Sequence, residues 1–172
     1  MGNTGRVSDL TYSPVGATRT GAPTPGFRHL YYRTPLGTGA DLQRRAGEAV
    51  VTFRMHRATG ARVLSSAPQA SPGVRLRIGA GPLTVPCEVV WSSLDGDRIG
   101  FGYGTLPGHQ ASGEEAFLVE RDERDRVWFT VTAYSRPARR LMRLGGPVAV
   151  FFQHVYARVC GRALKRLCTV NP

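Results

Sequence analysis

Between Arg98 and Thr105 the chain alternates strictly, with Ile99, Phe101 and Tyr103 on one face and Gly100, Gly102 and Gly104 on the other. This is a strand at period two, bulky on one side and bare backbone opposite. Glycine inside a strand marks a bulge, a bend or the close approach of a ligand or another backbone, so something must come near that face. Further alternation predicts strands at Phe27–Tyr32, Arg62–Ser65, Val74–Ile78, Glu115–Arg121 and Val127–Ser135. Another runs over Thr84–Ser92, with Val85, Cys87, Val89 and Trp91 on one face. Turns as short as Leu94-Asp95-Gly96-Asp97 imply hairpins, hence a mostly antiparallel sheet.

Helical spacing takes over in two places. Leu42, Ala46, Val50 and Phe53 predict a helix over Ala40–Arg57, after the Gly37-Thr38-Gly39 turn, with Asp41 suited to its first turn. Near the end, Pro137 opens a short helix, Ala138–Leu144, which Gly145-Gly146 breaks. Pro147 then opens a long helix to about Leu167. Val148, Phe151, Phe152, Val155, Val159 and Ala163 lie on one side, and Arg158, Arg162, Lys165 and Arg166 on the other or near its end. That apolar stripe must cover something, and the concave face of the sheet is the available partner. The expected fold is α+β, a curved antiparallel sheet wrapped around a long C-terminal helix, with a shorter helix after the first strand. Residues 1–25, rich in Gly, Pro, Ser and Thr, read as an irregular arm that Tyr12 and Val15 pin to the body. Residues 26–172 read as a single domain.

Composition narrows the partners. At 172 residues and 41% hydrophobic content the chain can bury a continuous core. Its net charge of +11 invites a nucleic-acid reading, yet Lys165 is the only lysine. Arginine in place of lysine, with abundant Ala, Gly and Pro, indicates a GC-rich genome of actinobacterial type. There is no RNP-like aromatic motif or zinc finger, so nucleic acid ranks last among partners. Cys87, Cys160 and Cys168 form no Cys-x-x-Cys pair and suit reduced, cytoplasmic thiols. Met1–Leu10 is polar, unlike a signal peptide. Gln153, His154 and Arg158 interrupt the most apolar helix, so no membrane span is expected.

The richest chemistry follows the glycine strand. The loop places His109, Ser112, Glu114 and Glu115 within a few residues of one another. An imidazole oriented by a carboxylate moves protons without metal or cofactor. The plainer alternative has His109 bonding loop backbone and Glu114 capping or pairing with an arginine. Tyr103 and Tyr134 suit core tyrosines with satisfied hydroxyls first, and hydrogen-bond donors for a ligand carbonyl second. Arg136 suits an ion pair with Glu114 or Glu115, or a ligand carboxylate. Half of the twelve acidic residues fall between Glu114 and Asp125, as at a solvated hairpin end. His29, His56, His109 and His154 are scattered without metal-binding spacing. Ser112 lacks a nucleophile elbow, and Gly37-Thr38-Gly39, without the rest of a nucleotide fingerprint, reads first as a tight turn and cap and only second as an anion cradle.

Tyr103-Gly-Thr-Leu-Pro-Gly-His109 and Ser112-Gly-Glu-Glu115 resemble the recurring core of the bacterial and plant family known as domain of unknown function 1990. Thr11–Thr18, Gly37-Thr-Gly39 and Ala133–Pro137 agree with it too, so the resemblance spans nearly the whole chain. One departure is Gln110-Ala111, where the family form often has Pro-Glu after the histidine. The element order also resembles the START-like helix-grip architecture, which implies a cavity between sheet and last helix. By that analogy Tyr32, Trp91, Phe101, Thr105, Trp128, Tyr134, Arg136 and Phe152 would line it. The guest implied is a small apolar or aromatic molecule. His109, Glu114, Glu115 and Tyr103 would supply cofactor-free, metal-free acid–base chemistry such as cyclisation, dehydration or isomerisation. A non-catalytic carrier or sensor, an anionic-partner module and a homodimer stay open.

Overall fold

The computed structural model describes residues 9–80, 83–94, 96–138 and 146–169. Seven strands, β1 (Arg28–Thr38), β2 (Arg62–Ser65), β3 (Arg75–Ala80), β4 (Leu83–Ser93), β5 (Arg98–Thr105), β6 (Ala111–Arg121) and β7 (Arg126–Pro137), form one sheet in the order β1-β7-β6-β5-β4-β3-β2. Every neighbouring pair is antiparallel. The helices are α1 (Ala17–Thr20), α2 (Ala40–Val51), α3 (Arg54–Ala58) and α4 (Gly146–Thr169). Between the inner sheet face and the helices lies an aromatic core that includes Phe53, Phe101, Phe117 and Phe129.

Several boundaries differ from the sequence pattern. The helix expected over Ala40–Arg57 breaks at Thr52 and Phe53, because Phe53 adopts φ +61°. That left-handed turn is costly for a bulky residue. It drives Phe53 into the core, where its ring meets Phe101 edge-on at 5.4 Å. β6 begins at Ala111, so Ser112 and Glu114 are strand residues rather than loop residues. β7 runs on to Pro137, which therefore closes a strand instead of opening a helix. The short helix expected at 138–144 lies almost wholly outside the described residues. Among the described side chains of α4, which begin at Gln153 and so leave out Val148, Phe151 and Phe152, those buried are Ala157, Cys160, Ala163 and Leu164, whereas Val155 is exposed. Ala163 is buried as expected, and over this part of α4 the contact side carries mainly small residues, which let the helix come close. A β-carbon at Gly161 would sit 3.0 Å from the Tyr32 hydroxyl.

A β-bulge between Val89 and Trp91 reverses the expected face of Trp91. Val89 stays opposite Tyr103 on the inner face, but Trp91 comes opposite Gly102 on the outer one. An extra residue in a strand shifts the period-two alternation by one. This resolves the bare glycine face. A β-carbon at Gly102 would run into the Trp91 indole, and one at Gly104 into the Tyr12 hydroxyl.

The N-terminal segment is the covering element. Tyr12 is buried, while Val15, expected to help pin the arm, is exposed. Beneath the segment lies Glu114, 2% exposed. Tyr12 Oη donates to its Oε2 at 2.8 Å and the Gly16 N–H at 2.7 Å. The Thr18 N–H donates to Oε1 at 3.0 Å, the Thr18 hydroxyl donates to Oε1 as well, and Trp91 Nε1 donates to Thr18 Oγ1 at 2.8 Å. Tyr134 Oη lies 3.1 Å from Oε2 and 2.5 Å from the Pro14 carbonyl. A buried polar group is tolerable only when satisfied, and here its partners are the arm itself.

Glu114→Gln should therefore cost about 2–5 kcal/mol, since one carbonyl oxygen replaces two and the amide N–H₂ faces donors. A shifted urea midpoint with faster amide exchange over residues 11–20 is expected. An unchanged midpoint would show that the arm is not held this way.

Candidate functional site

Side chains alternate across a strand, so adjacent Glu114 and Glu115 leave β6 on opposite faces. Glu115 turns inward and accepts a 2.7 Å bond from Tyr103 Oη, its cross-strand partner on β5. Burial pushes the Glu115 carboxyl above its ordinary range, and the Tyr103 bond pulls partly the other way. Tyr103 is held well above the usual phenol range, first by burial and then by the Glu115 charge. It is therefore a neutral donor.

His109 sits on the turn joining β5 to β6. Its N–H bonds the Leu106 carbonyl at 3.1 Å, and its Nδ1 accepts from the Ala111 N–H at 2.9 Å. With Nδ1 an acceptor, a neutral ring carries its proton on Nε2. Burial lowers its pKa, partly offset by the Ala111 backbone contact. Opposite, Gln153 Nε2 of α4 donates to Ser135 Oγ of β7 at 3.0 Å. Tyr103, Thr105, His109, Glu115, Ser135 and Gln153 share one cavity of about 50 Å³. That is room for one or two waters.

The expected acid–base set thus comes apart. Tyr103, His109 and Glu115 converge on one cavity with Thr105; Glu114 also borders it, but its carboxylate is taken up by the arm across the sheet. The proposed lining divides in the same way. Tyr32 packs against the core and Phe101 is wholly buried in it. On the outer side are Trp91, Tyr134, Trp128 and Arg136. Trp128 donates to Asp122 at 3.1 Å beneath the Arg33 guanidinium, which is 4.4 Å from its ring, and Arg136 lies over Phe27 at 4.8 Å. The side chain of Phe152 lies outside the described residues. Acids from Glu120 to Asp125 do occupy a hairpin end, pairing with Arg98, Arg121 and Arg126, whereas Glu114 and Glu115 do not.

His56 is what the pattern missed. α3 carries it inward to 1% exposure, with both ring nitrogens unpaired. Its ring centroid is 4.6 Å from Phe117, 5.7 Å from Phe101 and 6.5 Å from Tyr103. Desolvation lowers its pKa to about 3, with Arg57 adding to the effect. At i+3 from Phe53 it lies beside the expected apolar stripe, but a polar ring in that place gives no signal of complete burial. The Tyr103 ring consequently separates the polar cavity from the aromatic core. Among the described residues no group of three or more His, Cys, Asp or Glu could hold a metal ion, and no helix is long and apolar enough to cross a membrane.

A family model described as domain of unknown function DUF1990 matches residues 11–163. The chain belongs to this family. A UPF0548 protein of Deinococcus radiodurans is 50% identical over 70 residues, 41% of this chain and 35% of that protein. The match thus spans about a third of that curated relative. Among solved structures, a hypothetical protein from Helicobacter pylori aligns with TM-score 0.61 at 13% identity, over 83% of this chain and 89% of its own. Norcoclaurine synthase from Thalictrum flavum aligns with TM-score 0.56 at 10% identity, over 85% and 96%. These likenesses establish the helix-grip fold, as the element order implied.

Because unfolded His56 takes up a proton below about pH 6.5 and the folded residue only near pH 3, its contribution to stability is complete above pH 6.5 and is lost as pH falls. The loss is about 1.4 kcal/mol per unit within that window. His56→Phe should flatten this part of the stability–pH curve in chemical denaturation; an undiminished slope would show that His56 is paired or solvated.

Proposed function

We propose that this protein binds a small molecule with an apolar or aromatic body between the sheet and α4, directing a polar group of the guest at Glu115 and His109. The observation that carries the reading is a tyrosine-bonded carboxyl with raised pKa sharing a cavity with a neutral histidine. Ligand sites combine an apolar wall with a few convergent polar groups, and the Tyr103 ring joins those two parts here. The guest needs more room than about 50 Å³, so binding moves Tyr103 or α4 aside.

Acid–base chemistry is the further step within this proposal. A carboxyl that protonates above its usual range donates to a developing anion, while His109 takes or returns a proton. Cyclisation, dehydration and isomerisation need no more than this. Norcoclaurine synthase, of the same fold, is by its name a synthase, but fold alone does not assign an activity. The same cavity without turnover would be a carrier or sensor.

Native mass spectrometry of purified protein should reveal a retained small molecule. Titration with 2-naphthol should shift the NMR signals of Tyr103, Glu115 and His109. Tyr103→Phe and Glu115→Gln should each weaken that binding about fivefold to tenfold, the worth of one hydrogen bond. His109→Ala should weaken binding of the retained molecule no more than Glu115→Gln does, about fivefold to tenfold, while removing any turnover of it altogether. No retained mass and no saturable naphthol binding would end the proposal.

A further inference from the structure

The helices carry a charge imbalance that the acid–base cavity does not use. α2, α3 and α4 hold eight cations, Arg44, Arg45, Arg54, Arg57, Arg158, Arg162, Lys165 and Arg166, against two carboxylates, Asp41 and Glu48. GC-rich coding favours arginine everywhere but does not by itself exclude acids from α3 and α4. Among the described residues the one ion pair made by these helices is Arg44–Asp41 at 3.2 Å. The other ion pairs, such as Arg75–Glu88 and Arg121–Asp97, belong to the strands, their turns and the arm.

Part of this charge converges on a groove. Between α3 and α4 lies a depression of about 310 Å³ lined by Arg54, Ala58, Ala163, Arg166 and Leu167. Two guanidiniums stand at an apolar floor. Cations from two helices, α3 and α4, therefore meet at the C-terminal end of α4, in a volume that suits a small ligand. Thirteen residues of helix separate Arg166 from Gln153, about 20 Å at the rise of an α-helix, so this groove is distinct from the cavity at Glu115.

We propose that the α3/α4 groove binds a phosphate monoester bearing a small apolar group, its phosphate held by Arg54 and Arg166 and its apolar part on Ala58, Ala163 and Leu167. Guanidiniums are planar forks whose paired N–H groups match phosphate oxygens and keep their charge at any physiological pH. The floor gives the ester an advantage over the free ion, because inorganic phosphate leaves it exposed to water.

The test is calorimetric titration of the full chain with phenyl phosphate, inorganic phosphate and phenol at low ionic strength, with amide NMR to locate the contact. Phenyl phosphate should bind saturably and shift signals of α3 and the last turns of α4. Inorganic phosphate should bind at least about fivefold more weakly and phenol negligibly. Arg54→Glu/Arg166→Glu should abolish binding, and the corresponding alanine pair should weaken it about tenfold or more per lost charge-assisted bond. Both arginines are exposed, so thermal unfolding should confirm intact variants. Binding that is equal for phenol and phenyl phosphate, or that survives both pairs of substitutions, would overturn the proposal. So would a single-stranded oligonucleotide or anionic vesicles binding with shifts spread over α2, α3 and α4, since the charge would then serve a broad polyanion surface.

Discussion

A buried carboxyl group holds the N-terminal segment against the outer face of the sheet. Glu114 has no solvent to satisfy it, and donors from Tyr12, Gly16 and Thr18 take the place of water. The N-terminal segment can reach it only because Gly102 and Gly104 leave the outer face bare, so that Trp91 and Tyr12 fill the space side chains would occupy. The glycines permit the approach and the carboxyl makes it favourable. Either alone would leave a poorer structure: bare backbone open to water, or an acid buried without partners.

The same strand carries the functional candidate on its other side. The pleat sends Glu114 outward to structure and Glu115 inward to the cavity, so neighbours in sequence have different electrostatic settings. Glu115 has one hydroxyl donor, from Tyr103, and a desolvated surrounding, which favours its protonated form. His109 reaches the same cavity because the turn after β5 folds back through its bonds with Leu106 and Ala111. An acid whose pKa is raised by burial and a base whose pKa is lowered by it are thereby placed together.

Beneath them the hollow of the helix grip is largely occupied. The turn at Phe53 carries Phe53 and His56 into a cluster with Phe101 and Phe117. The energetic cost of an unpaired imidazole there is offset by dense aromatic packing around it. Small residues on α4 bring that helix down onto β1, and its cations remain outside. The result is a polar cavity at one end of α4 and a basic groove at the other.

Much of the architecture is local and was legible. Period-two alternation located all seven strands, helical spacing located α2 and α4, and short turns implied antiparallel pairing, because these patterns depend on residues a few positions apart. The glycine face correctly announced a close approach. What occupies that face was decided by tertiary structure, since Tyr12 and Glu114 are far apart in sequence and one bulge moved Trp91 across the sheet. The split between Glu114 and Glu115 needed the true start of β6, and the complete burial of His56 depended on packing that a polar ring beside the apolar stripe does not signal. Periodicity reports which face of an element a residue shares; which face is covered, and by what, depends on contacts that only the folded chain creates.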